Sequence, residues 1–448
     1  MADFQTIAAV VFLIILTIFV YLNRKRLDTK QIIPYVLYFS MYKTTWGLKL
    51  MDFFGRKYKK LVIYLISTLS LIGVLIIFAQ VTSLAEAIAK YIGTYWGIYL
   101  LFVFIGIITI VFFIFVPLEY KMPSIGFLGM ILISFALISS LYFIFTKPEA
   151  TPGVGLVLPF KAKGVFFVPF FYWMISLFVI AVVHEFSHGL IARANNLKVK
   201  SSGFAFVGLI APIIPAAFVE PDEKELRKRL HREQLNVFSS GPLSNVALGL
   251  IFFGIVAFIL APMANAIIEP NGVKVTDYVK EKVPFPAEIS GIKIGEIIQQ
   301  IDEHPVQYVD NLSMILKTKK PNEVVTIKTD KSSYEIKLAK NPENESLAYI
   351  GAYLEQSTKI KEEVSATYGK FLPNVLTWLF GLFVFLYILN FGIGLFNLVP
   401  IGPLDGGRML QLVLHRIFDK EKGDKVWYYI GMFFLILIFI NIAFAFVR

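Results

Sequence analysis

Apolar residues run along this chain in stretches of roughly twenty, separated by short charged loops. The stretches fall at about 4–22, 61–82, 96–118, 125–146, 166–193, 236–262, 369–396 and 427–447. A helix rising about 1.5 Å per residue needs ~20 residues to cross ~30 Å of hydrocarbon, so each run predicts a membrane span. The runs are continuous rather than alternating, which excludes a barrel and leaves helices, whose backbone bonds are satisfied internally. The pattern predicts a polytopic α-helical membrane protein with about eight transmembrane helices.

Three segments break the pattern. Residues 148–164 carry Pro148, Pro152, Gly153, Gly155, Pro159 and Gly164, which predicts an extended hairpin. Residues 203–219 are apolar but punctuated by Gly203, Gly208, Pro212 and Pro215, which predicts a second short hairpin, re-entrant in the membrane. An exposed edge there could pair with an unwound peptide, a contact that crosslinking from Phe206 or Ile210 would test. Residues 265–357 turn polar, with alternating runs such as Val324 to Lys328 and Tyr334 to Leu338, the size of one soluble α+β domain. The chain then reads as N-terminal membrane helices (1–147), the first part of a membrane core (148–264), the inserted domain (265–357), and the second part of the core with a last helix (358–448).

Charge orients this arrangement. The chain of 448 residues is 56% hydrophobic with a net charge of +11. The basic residues sit in short loops beside apolar runs (Lys49, Arg56, Lys57, Lys59 and Lys60; Arg227 to Arg229), so they read as a cytoplasmic face rather than a nucleic-acid surface. The basic cluster Arg24 to Arg26 follows the first run instead of preceding it, so that run reads as a permanent helix, not a signal peptide. Helix parity puts the inserted domain outside a cell membrane. With no cysteines, disulfides and thiolate metal sites are excluded.

Chemistry concentrates at His184-Glu185-Phe186-Ser187-His188. Residues four apart on a helix face one way, so two imidazoles can grip one divalent metal. Zinc in such a site lowers the pKa of a bound water to about 7, and Glu185 stands where it can take that proton and later protonate a leaving amine. The bland alternative is a pair of satisfied buried histidines, but ionisable groups on an apolar helix are costly and usually functional. Catalytic zinc usually takes three protein ligands. Among the remaining candidates, His231, His304 and His415 lie in polar surroundings, whereas Asp405 lies in the apolar, Pro/Gly-broken stretch Asn397 to Gly407. Asp405 could instead cap the short helix that follows it. The glycines would free the backbone, aim the side chain and let another helix come close.

Together, HExxH on a membrane helix and the distant N-x-x-P-x-x-P-L-D-G-G resemble the site-2 protease family of M50-type intramembrane metalloproteases. The resemblance implies one Zn2+ per chain held by His184, His188 and Asp405, Glu185 as catalytic base, and hydrolysis of transmembrane segments of other membrane proteins. It covers residues from about 148 to the end. Gly241-Pro242-Leu243-Ser244-Asn245 is a further family feature. Gly-Pro reads as a helix opening, and the resemblance implies that the Asn245 amide donates to an oxyanion; plain small-residue packing is the alternative. Asn397 could steady the Asp405 loop. Phe285 to Ile298 is similar to the P-A-x-x-A-G-L-x-x-G-D-x-I run of PDZ domains, which implies binding of a peptide or C-terminal tail by strand addition, or a size filter. Two other functions compete: a metal or ion transporter, which broken helices with buried His and Asp also suit, and an inactive membrane chaperone that binds substrates through its outer domain.

Overall fold

The computed structural model describes residues 4–23, 25–33, 37–92, 107–146, 153–160, 162–208, 212–279, 284–342 and 344–447. The chain divides into two compact units, Met1–Val256 with Gly381–Arg448, and Ala257–Phe380.

In chain order the first part holds α1 (Phe4–Leu22), β1 (Leu27–Ile33), β2 (Leu37–Thr44), α2 (Leu48–Asp52), α3 (Lys59–Ile92), α4 (107–115), α5 (Leu118–Thr146), β3 (Leu156–Leu158), β4 (Val165–Phe167), α6 (Phe170–Ala194), β5 (Val199–Gly208), β6 (Pro212–Pro221), α7 (Glu223–Leu226) and α8 (His231–Ile255). Among the described residues six helices are long and apolar enough to cross a membrane: Lys59–Ile76, Leu118–Thr146, Phe170–Ala194, His231–Ile267, Phe371–Phe396 and Lys420–Val447. The expected number was eight. The first expected span corresponds to a shorter apolar helix, Ile7–Leu22, and the first part of the third, 96–106, lies outside the described residues.

One irregular segment differs from expectation, and the other belongs to a larger sheet than expected. Around the first, β3 and β4 pair in parallel, Leu156 opposite Val165, and so do not form a hairpin. At the second, β5 and β6 pair antiparallel from Ser201↔Glu220 to Val207↔Ile214. They belong to a four-stranded sheet of order β1-β2-β5-β6. Strands β1 and β2 arise from a stretch expected to be a basic loop. Its β-branched and aromatic residues, Ile32 to Tyr42, carried the missed signal. Because β2 covers β5, the free side of the sheet next to the apolar helix is β6. Phe206 on β5 is buried against Phe19, so it offers no handle for crosslinking, and Ile210 lies outside the described residues.

Helix α8 runs through the middle of this unit and packs against α3, α5 and α6. Glycines set the spacing: a Cβ on Gly73 of α3 would stand 2.8 Å from Val246, and one on Gly249 2.7 Å from the Phe391 ring. Such close approach is how membrane helices gain packing where hydrophobicity alone gives no drive. Pro242 lies well inside α8 and does not open it. The chain ends with α12 (Glu362–Tyr368), α13 (Phe371–Phe396), α14 (Asp405–Ile417) and α15 (Lys420–Val447).

The second unit contains α9 (Ala261–Ile267), β7 (Ile268–Tyr278), α10 (Pro286–Ile289), β8 (Ile297–Ile301), β9 (His304–Pro305), α11 (Val309–Thr318), β10 (Val324–Thr329), β11 (Ser333–Lys337), β12 (Ala339–Lys340), β13 (Ala348–Tyr349) and β14 (Ala352–Ile360). Its main sheet has the order β11-β10-β8-β7-β14. Alternation decides its faces. In β10, Val325 and Ile327 are buried with Val275, Ile298, Ile301 and Ile336, while Val324, Thr326 and Lys328 face out. Asp302 ties two strands together by accepting from the Thr326 amide (2.8 Å) and pairing with Lys319 (2.7 Å). The Lys319 ammonium, aided by that amide, holds the Asp302 carboxyl below the usual carboxylate range. A lowered folded pKa stabilises above the unfolded value and is lost as pH falls through the folded one. We therefore expect β10 amides to exchange hydrogen faster as pH drops from about 5 to 3, and Asp302→Asn to flatten that dependence, once intrinsic exchange rates are divided out.

Candidate metal centre

Helix α6 begins after Pro169 and carries His184 and His188 one turn apart on a half-buried face turned towards α8. Asp405 reaches the same point from the first turn of α14. Its carboxylate does not cap that helix: Leu404 holds the cap position and no side chain caps it. The His184 Nε2 and His188 Nε2 atoms are 3.1 Å apart, and Asp405 Oδ2 lies 3.1 Å from the first and 3.2 Å from the second. The rings stand at 80° to each other. Among the described residues this is the cluster able to hold a metal ion. His231 starts α8, His304 sits in the second unit, and His415 pairs with Asp424 at 2.7 Å.

Two observations test whether these residues fit zinc. Corners of a tetrahedron with bonds of about 2.0–2.1 Å lie about 3.3 Å apart, close to all three separations. The triangle also has a cradle beside it. A Cβ on Gly241 of α8 would fall 2.4 Å from His188 Nε2 and 2.7 Å from His184 Nε2, so only glycine leaves that side open. The donor set, two imidazoles and one carboxylate, suits zinc.

Backbone groups hold the ligands. His188 Nδ1 lies 2.7 Å from the Val237 carbonyl, and an Nδ1–H donating there leaves Nε2 free for a metal. Pro242 removes the amide that would bond Phe238 and loosens this turn of α8, where the Val237 carbonyl meets His188. His184 Nδ1 lies 3.2 Å from the Asn245 amide nitrogen. At the Asp405 end, Cβ atoms on Gly406 and Gly407 would each stand 2.1 Å from a carbonyl oxygen, of Leu398 and Ile401 respectively. The two glycines thus admit their own preceding loop, not another helix. The Gly406 amide donates to the Asn397 carbonyl (2.8 Å), so Asn397 steadies the loop through its backbone, while its side chain bonds Ile393 (2.9 Å). Trp427 of α15 donates to the Gly407 carbonyl at 2.8 Å.

Glu185 lies beside the triangle. The Val219 amide of β6 donates to its Oε2 at 3.0 Å, which fixes the carboxylate between α6 and the last strand of the sheet. A cavity of about 690 Å3 joins Glu185, His184, His188 and Asp405 to charged residues including Lys200, Glu223, Lys224 and Arg408. It gives water and a peptide backbone room at the cluster. The motif histidines, Glu185 and Asp405 are thereby brought together as the sequence suggested. The Val219 amide, the Val237 carbonyl and the cradle at Gly241 were not foreseen; backbone groups have no sequence signature, and Gly241 reads in the sequence as part of a helix opening.

Over 240 residues the chain is 28% identical to an uncharacterized protein of Methanocaldococcus jannaschii, covering 53% of this chain and 56% of that one. Over 194 residues it is 21% identical to the zinc metalloprotease Rip1 of Mycobacterium tuberculosis, covering 35% and 47%. The chain thus spans about half the length of the curated relatives it matches. A PDZ domain from the SdrC-like protein of Listeria monocytogenes matches 18% of this chain and 86% of that one, at 24% identity and a TM-score of 0.16. The model of peptidase family M50 matches residues 172–438, from the start of α6 to the middle of α15, and so takes in both halves of the His–His–Asp cluster. This multi-pass membrane protein belongs to peptidase family M50.

Proposed function

We propose that the chain is a zinc-dependent intramembrane endopeptidase that hydrolyses peptide bonds in or near transmembrane segments of other membrane proteins. The observation that carries this reading is the joint presence, in one cavity of about 690 Å3 among apolar helices, of a three-ligand triangle and a glutamate fixed beside it. His184, His188 and Asp405 would hold one zinc ion. Zinc bound there supplies Lewis acidity and makes water a nucleophile at neutral pH. Glu185 accepts the proton from the attacking water and passes it to the leaving amine. The Val219 amide orients the carboxylate for both transfers.

A peptide bond in a helix is shielded by its own hydrogen bonds, so a substrate must unwind. Strand β6 supports that step. Its Val219 amide already points at Glu185, and by strand alternation the groups of Ala217 lie on the same side. An extended substrate segment can pair there within reach of the site. By the positive-inside rule the basic loops before α3 and α8 mark cytoplasmic helix starts, and the inserted domain, residues 265–357, then lies on the extracytoplasmic side, where a PDZ-like domain can bind a peptide tail or exclude bulky ectodomains.

The test is cleavage of tagged single-span proteins by the purified full chain in detergent or nanodiscs, with zinc counted. We expect about one zinc per chain, by the single three-ligand site, loss of cleavage on chelation, and recovery on adding zinc. If the protein holds zinc and cuts no member of a broad substrate panel, the protease reading fails, and metal flux in proteoliposomes decides for a transporter.

A further inference from the structure

Asn245 is buried on α8, and its amide meets the wrong side of His184 for a group that touches substrate. Its Nδ2 lies 3.2 Å from His184 Nδ1, the ring nitrogen remote from the cluster, while its own Oδ1 is buried with no hydrogen-bond partner. His184 turns Nε2 towards Asp405 and His188. A metal on Nε2 takes that lone pair, so the ring proton must reside on Nδ1, and a buried N–H requires an acceptor. His188 has one in the Val237 carbonyl. For His184 the group at hydrogen-bond distance is the Asn245 amide. A half-turn of that amide exchanges Nδ2 for Oδ1, gives the orphaned oxygen a donor, and gives the His184 Nδ1–H an acceptor. Gly394 of α13 keeps the amide in place: a Cβ there would stand 3.2 Å from Asn245 Cβ and 3.0 Å from the Pro242 carbonyl.

We infer that Asn245 is a positioning residue that fixes His184 in the metal-binding tautomer, and not the donor to the oxyanion. The inference rests on the zinc reading of the site. It gives the two histidines equivalent outer partners, one a backbone carbonyl and one a side-chain oxygen, both supplied by α8. It also explains an amide at this depth in an apolar helix, where plain packing would favour a small or aliphatic residue.

Two substitutions of similar size separate the roles. Asn245→Asp keeps an acceptor and loses the amide donor; Asn245→Leu loses both. Zinc affinity is measured by competition with a chromogenic chelator on the full-length protein, and the Co2+-loaded protein is read by its visible absorption. Folding is checked by thermal melting. The expected result is that Asn245→Leu weakens zinc by about 10–100-fold and alters the Co2+ spectrum. Asn245→Asp is expected to hold zinc within a few-fold of the parent and to keep cleaving. The inference is overturned if Asn245→Leu binds zinc like the parent, or if Asn245→Asp keeps zinc but loses about 10²–10³ in kcat, as removal of an oxyanion donor does. Should Asn245→Leu fail to fold, Asn245→Asp alone still decides, because the two roles predict opposite activities for it. If the parent binds zinc and cuts nothing, the protease reading has failed, while the affinity comparison still judges Asn245.

Discussion

Replacing Glu185 with Gln is expected to reduce cleavage by about 10²–10⁴-fold, the span general acid–base groups contribute, while zinc stays at the parental level. The choice of Gln follows from the structure. Glu185 does two things at once: it faces the cavity beside His184 and His188, and its Oε2 accepts from the Val219 amide at 3.0 Å. The amide oxygen of Gln can keep that bond and the side-chain volume, yet it cannot take up a proton at neutral pH. Ala would lose both functions and leave the strand amide without its partner, so loss of activity in Glu185→Ala would not distinguish chemistry from a displaced β6. Activity of tagged-substrate cleavage and zinc content are read on the same preparation. If Glu185→Gln cuts at more than about a tenth of the parental rate, well outside the expected range for a lost general base, another group takes the proton. If it loses zinc, Glu185 acts on the metal site itself, and its assignment as base falls.

The sequence made the metal site legible because its chemistry is written in spacing. Two histidines four apart on a helix must share a face, and a carboxylate in an apolar broken segment must find a partner. His184, His188 and Asp405 meet within 3.2 Å in the structure. What surrounds them was not legible, for distinct physical reasons. The clamps on Glu185 and His188 are backbone groups, which every residue carries. The pairing of β2 with β5 joins residues more than a hundred apart, and the basic residues near it drew attention from its β-branched and aromatic alternation. The Gly-Pro pair was read by its commonest position, a helix start, whereas α8 begins earlier at His231 and uses Pro242 to loosen a turn. The two glycines after Asp405 are close-approach sites as expected, but what approaches is the local loop carbonyls. Helix count was the weakest inference, since an apolar run reports composition and not where a helix starts and stops.

Gly241 carries the second large effect: Gly241→Ala is expected to empty the site of zinc and abolish cleavage without unfolding the protein. Alanine is better than glycine in a helix interior by up to about 1 kcal/mol, so propensity alone would favour the variant. Its Cβ, however, would lie 2.4 Å from His188 Nε2 and 2.7 Å from His184 Nε2, closer than carbon and nitrogen approach without a bond. The rings can swing away at modest cost to the fold, because their tips face a cavity. They cannot swing away and still converge with Asp405 Oδ2, since His188 is held at Nδ1 by Val237 and His184 by Asn245. The methyl group therefore separates stability from metal binding, a split that truncating a ligand does not give as cleanly. Gly254 on the same helix is the control. Nothing lies within 4 Å of a Cβ there, so Gly254→Ala should retain zinc and activity. Zinc by mass spectrometry and a thermal melt on both variants check the expectation. Parental zinc in Gly241→Ala would mean that the metal, if bound, does not sit between the two Nε2 atoms and Asp405, and the proposed centre would have to be abandoned.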